Sequence, residues 1–188
     1  TQYQTCEKIL RKELGVDPQP ETRALYKQIR KGEIKPTQLI KQKDVGVPKH
    51  NLPFQISKFI GREKELDEIA DLIADHRLVT LVGTGGIGKT RLSLKVGEGL
   101  LKDYADGIWL VELASLSDPA LVPQTVATTF HLVEGSEEPV TEKLIRVLRT
   151  KNILLILDNC EHLIDACAQI AETLLTNCPN LRILCTSR

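Results

Sequence analysis

The sequence carries no charge excess of either sign: 25 Lys and Arg balance 25 Asp and Glu over 188 residues. A chain-wide basic field that embraces nucleic acid is thereby excluded. No apolar run approaches the ~18 residues of a membrane span, and the N-terminal TQYQTCEKILRKELG lacks the apolar core of a secretion signal. Cys6, Cys160, Cys167, Cys178 and Cys185 are odd in number and contain no CxxC pair, and His50, His76, His131 and His162 stand at no metal-ligand spacing to them. That pattern indicates neither a disulfide framework nor a zinc site, and it places the thiols in the core of a cytoplasmic protein. What is present, 41% hydrophobic and 27% charged residues, is ordinary for a globular chain long enough to build a sizeable core.

The balance of charge hides an asymmetry. Residues 1–50 hold 11 basic and 6 acidic side chains, and residues 51–188 hold 14 and 19, so the two parts carry +5 and −5. Two solvated surfaces explain this, and so do two modules with different tasks. The chain opens without Met and stops at Arg188 directly after an apolar run, and it reads as a piece of a longer protein.

Three zones follow one another. In residues 1–33, Cys6, Ile9, Leu10 and Leu14 recur at helical spacing up to Gly15, and Pro20 opens a second helix whose Leu25, Tyr26 and Ile29 share a face up to Gly32. This predicts an α-helical hairpin, too small to stand alone, at the end of a helical array. Residues 34–57 show no sustained period, are interrupted by Pro36, Gly46, Pro48 and Pro53, and carry Lys35, Lys41, Lys43 and Lys49 without interleaved aromatics; they read as an exposed linker. Residues 58–188 alternate helices and strands. Strands are expected at 78–82, 108–113, 153–157 and 181–185, and helices at 62–74, from 89, near 119–130 and 140–149, and over 161–176. The fold class is α/β, a mainly parallel sheet covered on both faces, whose ligand belongs at the carboxyl ends of the strands.

Residues 83–90 read Gly-Thr-Gly-Gly-Ile-Gly-Lys-Thr, the G-x-x-x-x-G-K-[ST] loop, between an apolar strand and a helix. Gly83, Gly85, Gly86 and Gly88 permit backbone angles closed to other residues, so that N–H groups of the loop, Thr84 and Ile87 included, converge on a phosphate. Lys89 offers a charge to the β- and γ-phosphates, Thr90 a hydroxyl to Mg²⁺, and the following helix its positive end. Such a loop needs a second anchor for the metal. The apolar run Ile153–Leu157 ends in Asp158, a buried strand delivering a carboxylate to the same edge of the sheet.

Other residues border this edge. Asn159 cannot act as a base, whereas Glu161 is placed either to activate a water or simply to favour the first turn of the following helix. His162 packs or caps. Arg188 ends the last strand, where it senses the γ-phosphate or remains an exposed end charge. Arg91 lies near the phosphate site and faces solvent or a neighbouring domain.

FIGREKEL, LVGTGGIGKTRL, DGIWLVELASLSDPALV, LLILDNCEHL and LRILCTSR, in this order, resemble the nucleotide-binding domain of STAND ATPases, the NB-ARC-like group, over about residues 58–188. The resemblance implies a P-loop NTPase core of the ASCE type, truncated at its C-terminus, with the last strand between the P-loop strand and the Asp158 strand. It also implies ATP/ADP and Mg²⁺ as cofactors, Phe59, Ile60, Gly61 and Arg62 around the adenine, and Arg188 as the sensor arginine. The N-terminal CEKILRKELGVDPQPETRALYKQIRKGE is similar to the end of the TPR-like bacterial transcriptional activator domain of SARP-type regulators. This implies other domains of a parent regulator as partners, DNA contact only through an upstream domain, and self-association as a further possibility. Thr84 stands where that family often has Pro, and Asn159 where many relatives have a second acid, which weighs against hydrolysis more than binding.

The leading expectation is an ATP/ADP switch with slow hydrolysis. A P-loop kinase for a small acceptor is the first alternative, disfavoured because residues 159–180 contain no Arg for a lid. A helical scaffold with a vestigial nucleotide site is the second, opposed by the intact Lys89, Thr90 and Asp158.

Overall fold

The computed structural model describes residues 50–55, 59–132 and 138–188, all within the unit Pro48–Arg188. The expected hairpin of residues 1–33 and most of the expected linker lie outside the described residues. The element order is α1 (Glu63–Asp75), β1 (Leu78–Val82), α2 (Lys89–Leu100), β2 (Ile108–Glu112), a 3-10 turn (Pro119–Leu121), α3 (Val122–Thr129), α4 (Val140–Leu148), β3 (Ile153–Asp158), a 3-10 turn (Cys160–His162), α5 (Ile164–Asn177) and β4 (Leu181–Ser187).

The four strands form one parallel sheet in the order β1-β4-β3-β2, which puts β4 between the P-loop strand and the Asp158 strand as the resemblance implies. All six residues of β3 are buried, as a strand flanked on both edges and covered on both faces requires. Its side chains alternate between two cores. Ile153, Leu155 and Leu157 join Val126, Leu144, Leu174 and Ile183 from the side of α3, α4 and α5, whereas Leu154 and Ile156 join Ile69, Ile73, Leu92, Val96 and Leu184 from the side of α1 and α2. The sheet is thus the middle of three layers.

Register sets the functional edge. Val82 pairs with Ser187 and Glu112 with Asp158, so the loop after β1, the end of β3 and the end of β4 all emerge at the carboxyl rim. The opposite rim is tied by Arg77, just before β1, which donates to the carbonyls of Leu175 (2.8 Å) and Cys178 (2.6 Å) at the end of α5. A cation there also meets the negative end of the helix.

Several boundaries differ from the sequence reading. The helix expected over 161–176 is split: Asn159 adopts φ 66 and ψ 50, Cys160–His162 make a 3-10 turn, and the α-helix starts only at Ile164. The break itself falls at Leu163, whose φ −133 and ψ 31 lie outside helical geometry, while the left-handed Asn159 separates the 3-10 turn from β3, a geometry Asn tolerates better than most. The stretch read as an exposed linker also contributes to the fold at its end. Leu52 is buried in the core with α1 and α2, and the Asn51 side chain pairs with both backbone groups of Leu110, donating to O at 2.8 Å and accepting from N at 2.6 Å. One side-chain amide thereby satisfies a residue of edge strand β2 that has no neighbouring strand to do so. In the helix after the P-loop, Gly97 fits a close approach: an added Cβ would lie 3.1 Å from Ile156 and 3.3 Å from Leu52. Gly99 has nothing within 4 Å, so close packing does not account for it.

Cys160, Cys167, Cys178 and Cys185 are free and buried, as expected of core thiols. No helix among the described residues is long and apolar enough to cross a membrane.

Candidate functional site

The loop from Gly83 to Gly88 turns from β1 into α2, and only two of its glycines use the left-handed freedom expected of all four. Gly86 (φ 79) and Gly88 (φ 91) do; Gly83 and Gly85 do not. Gly85 answers to space instead, because a Cβ there would lie 3.3 Å from an Arg188 guanidinium nitrogen. The loop holds its own lysine: Lys89 Nζ donates to the carbonyls of Gly83 (2.6 Å) and Thr84 (3.0 Å). With Gly88 as its N-cap, α2 begins at Lys89 and turns its unpaired N–H groups toward the loop.

Thr90 faces the end of β3. Its hydroxyl donates to Asp158 Oδ1 at 2.7 Å, and the Thr186 hydroxyl donates to the same oxygen at the same distance. Asp158 and Thr186 are both buried. A carboxylate only accepts, so each hydroxyl must spend its proton on it. Thr186 Oγ1 in turn accepts the Asn159 N–H at 2.8 Å.

The 3-10 turn after Asn159 brings Glu161 to Arg188, with Oε1 and Nε 3.0 Å apart. His162, expected to pack or cap, lies 2.8 Å through Nε2 from the Leu116 carbonyl and so links this turn to the loop after β2. A cavity of about 450 Å³ opens along this rim. Of the residues singled out in the sequence, Gly85, Gly86, Gly88, Lys89, Thr90, Arg91, Glu161 and Arg188 line it, together with Asn159. Gln55, Leu94 and Thr186 line it too, and the sequence reading had passed over them as site residues. Gln55 belongs to the expected linker, Leu94 to an expected helix, and Thr186 lies one residue beyond the strand expected at 181–185, which in the structure runs on to Ser187. Only the position of Thr186, two before Arg188 in a strand ending at the loop's edge, marks it.

The expected adenine border, Phe59 to Arg62, is placed beside the loop, and none of the four is among the residues that line this cavity. Arg62 Nη1 donates to the Ile87 carbonyl at 3.1 Å, and Phe59 lies under Arg91, 5.8 Å from ring centroid to guanidinium carbon. Arg91 is half-buried, with this aromatic face against its guanidinium. Gly61 and Arg62, at φ 76 and 66, make the sharp entry into α1, and Ile60 is 87% exposed.

Behind the site, the thiols form a separate group. Hydrogen bonding to Cys167 pulls the Cys160 thiol down, but contact with Cys185 and burial outweigh it and push the group up to about 12. Contact with Cys160 and burial push Cys167 up as well. Neutral thiols suit the apolar cluster they occupy. Among the described residues, no group of three or more His, Cys, Asp or Glu converges as a metal cage.

Residues 62–188 match the NB-ARC domain family, and residues 1–30 match the bacterial transcriptional activator domain. A putative HTH-type transcriptional regulator of Mycobacterium tuberculosis is 42% identical over 117 residues, covering 62% of this chain and 13% of its own length. The regulatory protein AfsR of Streptomyces griseus is 28% identical over 205 residues, covering 99% of this chain and 20% of its own. The chain spans about a third or less of the curated relatives it matches. Among solved structures, a signal transduction ATPase with numerous domains, carrying a tetratricopeptide repeat sensor, from Pyrococcus horikoshii superposes with a TM-score of 0.51 at 18% identity, over 73% of this chain and 22% of that one. That likeness concerns the fold.

Proposed function

The chain belongs to the NB-ARC domain family, and we propose that it is the Mg²⁺-dependent ATP/ADP switch of a larger transcriptional regulator, with slow hydrolysis as its reset. The observation that carries this reading is the convergence on one rim of a phosphate loop, its lysine and the Thr90–Asp158 hydrogen bond at 2.7 Å, all beside a 450 Å³ cavity. Loop N–H groups and the start of α2 bind the phosphates. Lys89 exchanges the Gly83 and Thr84 carbonyls for β- and γ-phosphate oxygens, a gain because a carbonyl carries only a partial charge.

The donor set fits Mg²⁺. Thr90 and Asp158 offer hard oxygens, and Mg²⁺ characteristically fills its remaining positions with substrate phosphate and water. Thr90 and Asp158 would hold the ion, which supplies positive charge to the phosphate oxygens. In this reading Arg188 leaves Glu161 for a γ-phosphate, and Glu161 Oε1 then accepts a proton from the attacking water; their 3.0 Å ion pair at the rim supports it. A triphosphate and a diphosphate thereby demand different arrangements of this rim, which is what a switch needs.

Adenine as the base, contacts from Phe59 to Arg62, a cytoplasmic location, self-association, and coupling to DNA through an upstream domain complete the proposal. The activator-domain match at residues 1–30 and the likeness to the putative HTH-type transcriptional regulator of M. tuberculosis support the last of these. Calorimetric titration with Mg-ADP, Mg-ATP and Mg-GTP tests the reading, with Lys89→Ala as the control. The expected result is adenine nucleotide binding that Lys89→Ala weakens by about 10- to 100-fold, the range for hydrogen bonds between charged groups. A folded wild-type chain that binds none of the three would overturn it.

A further inference from the structure

We infer that Thr186 is the positioning residue for the metal-directed carboxylate, holding Asp158 in place and setting the turn that carries Glu161; this rests on the Mg-nucleotide reading above. Thr186 lies in β4, paired with Leu81 of β1, and is 1% exposed. Its hydroxyl has a single proton, and the partners leave no choice over its use. Asp158 Oδ1 accepts it at 2.7 Å, so the Asn159 N–H at 2.8 Å must be received by an oxygen lone pair. The group is satisfied in both directions with no freedom to rotate.

Two consequences follow from this geometry. Among the described residues, the two hydrogen bonds that the Asp158 carboxylate accepts both fall on Oδ1, one from Thr90 at the start of α2 and one from Thr186 in β4. The two donors arrive from different directions, one from a helix packed on a face of the sheet and one from the strand beside β3, so together they fix the carboxylate plane and leave Oδ2 clear of both hydroxyls. Thr90 can donate its proton to Asp158 and still offer a lone pair to the metal, so its hydroxyl would serve both. Thr186 is the anchor of Asp158 that takes no part in holding the metal. The second consequence concerns Asn159, whose left-handed backbone (φ 66) starts the 3-10 turn that brings Glu161 to Arg188. Capturing the Asn159 N–H stabilises a conformation that few non-glycine residues adopt. One hydroxyl thus couples the carboxylate that would hold the metal to the residue that would take the proton.

The test compares Thr186→Val, which keeps the shape and removes the hydroxyl, with Thr186→Ser, which keeps the hydroxyl. ADP affinity is measured in Mg²⁺ and in EDTA, and hydrogen exchange is followed at the Asn159 amide. In Thr186→Val the gain in affinity that Mg²⁺ confers should fall about 10-fold or more, the scale of a hydrogen bond to a charged group, with the metal-free affinity changed less than about 2-fold. The Asn159 amide should exchange faster. Thr186→Ser should retain both the gain and the protection, and a serine variant that loses the gain while its Asn159 amide stays protected overturns the inference even if the valine variant fails to fold. A Thr186→Val chain with the full Mg²⁺ gain, or one that loses metal-free and Mg²⁺-bound affinity equally, also overturns it. Wild-type protein that binds ADP with no gain from Mg²⁺ sinks this inference alone; folded wild-type protein that binds no nucleotide sinks the switch reading with it.

Discussion

Glu161 and Arg188 meet across the rim of the cavity, Oε1 to Nε at 3.0 Å, with the arginine side chain 69% exposed and the glutamate 23%. Such a pair contributes little to stability, under about 1 kcal/mol, because solvent screens it and two long side chains must be ordered to form it. In the proposed switch the pair serves as an exchangeable contact. Arg188→Ala should leave the urea midpoint nearly unchanged and lower the ATP-to-ADP affinity ratio about 5- to 10-fold in competition titrations. An unchanged ratio would remove Arg188 from phosphate sensing.

Glu161→Gln separates the two readings of the acid. As a proton acceptor its loss should slow single-turnover ATP hydrolysis about 100-fold or more while nucleotide affinity holds. If the residue only favours the first turn after β3, hydrolysis will be indifferent to the change and the melting temperature will fall slightly.

Asn51 is predicted to matter for stability alone. Truncation to alanine leaves both backbone groups of Leu110, a residue only 5% exposed, without their partners. The expected cost is about 1–3 kcal/mol, measured by denaturant unfolding, with ADP affinity unaltered once the variant is folded.

Two glycines of α2 should respond in opposite directions to alanine. At Gly99 the new methyl meets nothing within 4 Å, and relief of the glycine penalty should stabilise by up to about 1 kcal/mol. At Gly97 it presses on Ile156, Leu52 and Ile108 at 3.1, 3.3 and 3.4 Å, and overpacking of about 1–3 kcal/mol outweighs the same gain. Thermal melts of the two variants decide it; equal shifts would mean that the sheet yields at Gly97.

Alkaline pH should destabilise the fold before it ionises the core. The folded state holds the Cys160 thiol up at about 12, against an ordinary value of 9.0, and Cys167 and Cys178 are raised too. A raised pKa means that the folded state keeps protons which the unfolded chain releases. The contribution is therefore complete below about pH 9 and declines as pH rises toward 12. Burial raises Tyr104 as well, which adds the same sign above its ordinary 10.0. The urea midpoint should fall between pH 8 and 10.5, and Cys160→Ala should flatten that slope.

The alternation of strands and helices, the phosphate loop and Asp158 at the end of an apolar run were legible because each is a local pattern. A strand such as Ile153–Asp158 announces itself by continuous burial, and the loop by glycines beside Lys89 and Thr90. What escaped was non-local. Asn51 has no strand pattern of its own, yet its amide imitates one against Leu110; Leu163 interrupts the helix expected over 161–176 through backbone angles that no composition reveals. Arg91 depends likewise on a ring 32 positions earlier in the chain, Phe59.

By itself, then, the sequence determined the chemistry on offer: which residues carry charge and hydroxyls, where glycines permit a left-handed turn, and in what order along the chain. Tertiary structure decided which of them share an atom. Thr90, Asp158 and Thr186 are separated by 68 and 28 positions, and only the insertion of β4 between β1 and β3 brings the second hydroxyl to the carboxylate. Hydrogen bonds act over about 3 Å, and sequence separation carries no information on that scale until the strands have paired.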